Sequence, residues 1–136
     1  MKKSVVIVIG LIYVMSLFLV TLFGIKHKTF NEVHYVEQVE IIDNKAEFLG
    51  DGSKFIRVYP DENGICTYQL NWKVTPENAT NPNVDFIYDH SKQNLSIDEN
   101  GLVTYVYQDY IDVVTITIRS ADGTKREDTI KLMFIK

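Results

Sequence analysis

The chain has 136 residues with 14 basic and 18 acidic side chains, a net charge of −4 and a single cysteine. That balance argues against a nucleic-acid partner, which demands a basic face, and against electrostatic docking on anionic lipid. Cys66 alone forms no internal disulfide, so the fold must rest on its core.

The first predicted element is a membrane helix. No charged residue occurs from Ser4 to Ile25, and the run is bracketed by Lys2-Lys3 and Lys26-His27-Lys28. As a helix it measures roughly 33 Å, which matches the roughly 30 Å hydrocarbon thickness of a bilayer. Backbone amides in lipid must bond internally, so a helix is the single-segment solution. The first expected partner is therefore the lipid bilayer, contacted through Ser4 to Ile25. The competing reading is a cleaved secretory signal that releases a free domain. Such signals have apolar regions of about 7–15 residues and end at small side chains. Here the run is longer, and Phe23 and Ile25 stand where a peptidase needs small residues, so an uncleaved anchor is expected. No lipid-attachment cysteine follows the run, and the processing motif and embedded glutamate of type IV pilins are missing. Lys2, Lys3 and the amino terminus opposite Lys26 and Lys28 bias the N-terminus toward the cytoplasm. The acidic, tyrosine-rich remainder suits the extracytoplasmic side.

The expected division is an anchor over residues 1–28, a short tether leading into the first strand over 29–38, and one β domain over 39–136. About a hundred residues after the anchor suffice for one domain and not for two. The segment 26–32 would reach at most about 20–25 Å when extended, keeping the domain near the headgroups.

Beyond the anchor the apolar residues alternate with period two, the signature of half-buried strands. Tyr68, Leu70, Trp72 and Val74 share one face, as do Val84, Phe86 and Tyr88. Val114, Ile116 and Ile118 form a third set, and Ile130, Leu132 and Phe134 a fourth. Strands are predicted over 35–42, 54–59, 66–74, 84–88, 95–97, 102–107, 113–119 and 128–134. Between them stand Asn-Gly and Asp-Gly turn signals, among them Asp61-Glu62-Asn63-Gly64, Asp98-Glu99-Asn100-Gly101 and Ala121-Asp122-Gly123. Short strands at this spacing predict an all-β sandwich behind one transmembrane helix, with Trp72 spanning the two sheets.

Three stretches carry a resemblance: Val74 to Asp89 (VTPENATNPNVDFIYD), Asn94 to Val106 (NLSIDENGLVTYV) and Val113 to Leu132 (VVTITIRSADGTKREDTIKL). In this order they resemble the group 2 bacterial immunoglobulin-like domains, modules of invasin- and intimin-type and many Gram-positive surface proteins. The likeness runs from about Glu40 to Ile135. Phe86 stands where the family usually has tryptophan. Residues 107–112 replace the family's shorter glycine-containing turn with a longer, more aromatic loop. The resemblance implies an Ig-like fold and a role at the cell surface. The family's repeats in long chains contrast with the single copy here, which argues against a long-stalk adhesin.

Catalytic and metal chemistry finds little footing. The tetrads at Asp61 and Asp98 offer hard oxygen ligands, yet position 12 of a calcium loop would be Trp72 or Asp109 and the glycines are misplaced. Turns explain them. His27, His34 and His90 are scattered, and Cys66 has the parity of a core residue with no basic neighbour to activate it. Asn78-Ala79-Thr80 and Asn94-Leu95-Ser96 satisfy the glycosylation sequon, matches that the resemblance to bacterial modules implies are incidental. No nucleophile elbow or phosphate loop occurs, so neither an enzyme nor a cofactor is expected. The most suggestive surface is the tyrosine-rich loop. Tyr107, Asp109, Tyr110 and Asp112 form the candidate partner surface, because tyrosine combines apolar area with a polar tip. Strand parity alone would turn Tyr105 and Tyr107 into the core. The expected function is non-enzymatic binding of a protein or glycan by an anchored Ig-like module. The alternative is a small accessory subunit of a larger cell-envelope complex.

Overall fold

The computed structural model describes residues 2–24 and 32–136. The chain divides into two compact units, Met1–Glu32 and Val33–Lys136. Ile25, Lys26, His27, Lys28 and residues 29–31 of the expected tether lie outside the described residues.

In the first unit α1 (Lys3–Gly24) is a helix of 22 residues that is apolar on every side. Its stretch Lys3–Leu22 is long and apolar enough to cross a membrane. Two of its hydroxyls bond to its own backbone, Ser16 to the Tyr13 carbonyl at 2.9 Å and Thr21 to the Phe18 carbonyl at 2.8 Å. They thus need no water, as a lipid environment requires.

The second unit is built from ten strands: β1 (Gln38–Ile41), β2 (Glu47–Phe48), β3 (Lys54–Val58), β4 (Ile65–Gln69), β5 (Trp72–Thr75), β6 (Val84–Ile87), β7 (Leu95–Ile97), β8 (Leu102–Val106), β9 (Asp112–Ser120) and β10 (Glu127–Phe134). They form three sheets, in the orders β1-β5, β2-β3-β10-β9-β6 and β4-β8-β7. All neighbours are antiparallel except β3 and β10, which run parallel with Leu132 beside Ile56. One core serves all three sheets. It joins Val39 and Ile41, Cys66, Val103 and Tyr105, and Ile116, Ile118, Ile130, Leu132 and Phe134.

Two sequence expectations change. The single strand expected over 66–74 is broken at Leu70-Asn71, so β4 and β5 belong to different sheets. The alternation runs on through the break because both halves face the same core: Cys66 and Leu70 are buried, and Tyr68, Trp72 and Val74 pack half-buried against them. The short β2 was not expected, because both of its side chains are exposed and carry no alternating pattern. Trp72 does reach between sheets. Its ring, on β5, meets the ring of Phe86, on β6, edge to face at 5.3 Å and 83°.

Side chains clip the sheets together. Asp128 on β10 accepts from the Ile41 amide at 2.8 Å and from the Lys54 ammonium at 2.5 Å, while the same ammonium donates to the Ile41 carbonyl at 3.1 Å. The start of the unit is laced down in the same manner. Asp122 accepts the Val36 amide at 2.6 Å, Thr80 accepts the His34 amide at 2.9 Å, and the Glu37 amide donates to the Thr75 carbonyl at 2.8 Å.

Candidate functional site

The tyrosine-rich loop connects β8 to β9, and the structure sorts its residues into two groups. Asp112 turns inward. Lys92 donates to both of its carboxylate oxygens at 2.7 and 2.6 Å, and the hydroxyl of buried Tyr105 donates to it at 3.0 Å. Burial would raise the Asp112 pKa, but the bonds from Lys92 and Tyr105 outweigh it and hold the carboxyl below its ordinary range. Burial, with the bond to Asp112, pushes the Tyr105 hydroxyl up to about 12. The Tyr105 ring stacks on Phe134 at 3.9 Å and 3°. Tyr107 is half-buried against the core. Of the four candidate residues, therefore, Asp112 serves the fold and Tyr107 presents only part of its ring.

Asp109 and Tyr110 remain at the surface. Asp109 has a φ of 59°, a left-handed conformation that aspartate tolerates better than most side chains. It bends the loop so that Tyr110, 56 % exposed, and Ile111, 59 % exposed, stand clear of the domain. Beside Tyr110 lies a shallow depression of about 450 Å³ lined by Gln93, Asn94, Val106 and Gln108. Asn94 and Gln108 both donate their amide nitrogens to the Val106 carbonyl, at 3.2 and 3.3 Å. Sequence reading did not bring these amides together, because strand pairing is what sets 93–94 beside 106–108.

A larger groove, of about 730 Å³, opens between β3 and β4. Ile56 and Val58 line it, with the Tyr68 ring, Tyr59 and the 42–45 loop around them. Tyr68 donates its hydroxyl to Asp43, which ties the loop to β4. Burial, then that bond, raises the Tyr68 pKa. Nothing in the local sequence announces this groove, because it arises where two sheets part.

The remaining candidates are structural. The Asp61 and Asp98 tetrads form the same turn: one carboxylate oxygen accepts two backbone amides, those of Asn63 and Ile65 (2.8 Å each) or of Asn100 and Leu102 (2.9 and 2.8 Å). Cys66 is wholly buried, and burial, with the Asp61 charge, raises its pKa. His90 is exposed with its ring against Tyr88 at 4.2 Å. Comparison with protein-family models and with curated protein sequences finds no match.

Proposed function

We propose that the chain is a single-pass, membrane-anchored module with its N-terminus in the cytoplasm. Its β unit is an Ig-like sandwich outside the cell that binds a protein or glycan partner without catalysis. The observation that carries this reading is the presence of an apolar helix long enough to cross a membrane before a β unit that has its own core. The strand order supports the Ig-like part. In Ig sandwiches one sheet holds strands C, F and G and the other B, E and D. The neighbours β6-β9-β10 and β4-β8-β7 follow those two orders, and β1 lies against β5, where the first strand of an Ig sheet would run. With no family model matching, the likeness to group 2 bacterial modules rests on this order and on the three quoted segments. The most acidic carboxylates, Asp51 and Asp122, support a non-enzymatic reading, since bonds within the fold occupy them. Ser53 donates to Asp51 through its hydroxyl (2.6 Å) and amide (2.9 Å), and Thr124 to Asp122 at 2.6 and 3.0 Å.

The test is native co-purification of the tagged full-length chain from its own membranes in mild detergent, together with protease treatment of intact cells. An intact chain retained by membranes, with its β unit digested from outside and a reproducible partner, is the expected result. A soluble chain shortened at its N-terminus would overturn the anchor. A stoichiometric set of envelope proteins would make it an accessory subunit.

A further inference from the structure

We propose that the free edge of β4 is a strand-addition site. An extended polypeptide segment, with one apolar side chain between polar neighbours, pairs antiparallel to residues 67–69 and seats that side chain over Ile56 and Val58. The inference deepens the binding-module reading by naming the kind of partner, and rests on it.

In its sheet β4 has β8 on one side and, among the described residues, no strand on the other. The Leu70 amide donates to the Gly101 carbonyl, and the Tyr107 amide to the Gly64 carbonyl, each at 2.9 Å. Even-numbered residues of β4 therefore bond toward β8, and odd-numbered ones point away. On that outer side β1 covers β5, with Ile41 opposite Trp72. The ladder's last bond runs from the Ile42 amide to the Asn71 carbonyl at 2.8 Å. The chain then leaves through the turn that Ala46 closes on Asp43. Further along, Ile65 is occupied by Asp61. Between them Thr67 and Gln69 keep their outward backbone groups, apart from a long 3.4 Å contact from the Asn71 side-chain Nδ2 to the Gln69 carbonyl. The vacancy is about 10 Å long and continues the line of β1.

Backbone donors and acceptors in this array recognise another extended backbone. The groove decides the side chains. A residue opposite Tyr68 shares its inward face and meets Ile56 and Val58, which are only 7 % and 6 % exposed. Residues opposite Thr67 and Gln69 face water and are polar. At the rim Arg57 is already paired with Glu47 and Asp43 with the Tyr68 hydroxyl, so Lys45 is the cation that favours an acidic flank. The opposite wall is also open, because β2 covers only Lys54 and Phe55 of β3.

The probe is a fluorescent peptide of alternating threonine and valine with a glutamate at each end, titrated by anisotropy into the full-length chain in detergent. Its control is the same peptide with N-methyl groups on the amides of one edge. Saturable binding that weakens at least about ten-fold on N-methylation is expected. A similar loss is expected in Thr67→Pro, which removes an outward amide that the sheet does not use. Should that variant fail to fold, the N-methyl comparison on the unaltered chain still decides. Equal binding of both peptides, or binding of neither, overturns the proposal. So does saturable binding of tetra-N-acetylglucosamine in the peptide's place, which would make the groove a sugar site. If native partners are retained by a chain that ignores the peptide, strand addition fails and the binding-module reading stands. If no partner is retained either, both fail.

Discussion

Asp122 shows how one carboxylate sets the acid response of the β unit. Burial would raise its pKa, but the Thr124 hydroxyl, the amides of Val36 and Thr124 and the Ser120 hydroxyl together lower it from 3.8 to about 2. A carboxyl with a depressed folded pKa stabilises the fold fully above its unfolded value, and that contribution disappears as pH falls through the folded one. The stability advantage of the native chain over Asp122→Asn should therefore be constant above about pH 5 and shrink between 3.8 and about 2, as urea midpoints at each pH would report. Asp128 acts through geometry as well as charge. Asp128→Ala strands the Lys54 ammonium and the Ile41 amide at a partly buried joint, and should cost about 1.5–3 kcal/mol in urea unfolding at pH 7. The long-range part of neither role is legible in the sequence, since Val36 and Ile41 lie 86 and 87 residues from Asp122 and Asp128.

Elements were more legible where one face is wholly buried. Val114, Ile116 and Ile118 on β9 and Ile130, Leu132 and Phe134 on β10 lie inside as their alternation predicts. Alternation reports which face is inward, but not which strand lies alongside. For that reason the break between β4 and β5 and the parallel β3–β10 pairing left no trace in the pattern. The two matching turns make a sharper test. Gly64 and Gly101 have φ values of 76° and 80°, so alanine is strained at either. At Gly101 a Cβ would also stand 2.7 Å from Trp72 Cζ3 and 3.3 Å from the Leu70 Cβ, whereas at Gly64 it meets open space. Gly64→Ala should cost about 1 kcal/mol, and Gly101→Ala about 2–4 kcal/mol because the Trp72 ring must move. Equal thermal shifts for the two variants would contradict this account of the Trp72 contact.

At the scale of the whole molecule, the helix and the β-rich unit were both readable, because hydrophobic length and period two are local signals. The surfaces were readable only in part. Tyr107, Asp109, Tyr110 and Asp112 can be named from the loop, whereas the inward turn of Asp112 toward Lys92 and the groove beside β4 depend on contacts across the fold. A fragment of residues 32–136 should fold unaided into an all-β monomer, seen by far-ultraviolet circular dichroism and sedimentation, because its core is shared within the unit. The stitching of His34, Val36 and Glu37 has a mechanical side. A pull on the N-terminal end of the β unit would meet hydrogen bonds to three separate positions, Thr75 at the end of β5 and Thr80 and Asp122 in loops, before it could start to peel β1. Load spread over several bonds is resisted better than load that opens them one at a time. The end of the unit that follows the apolar helix in sequence is thus fastened to three parts of the domain.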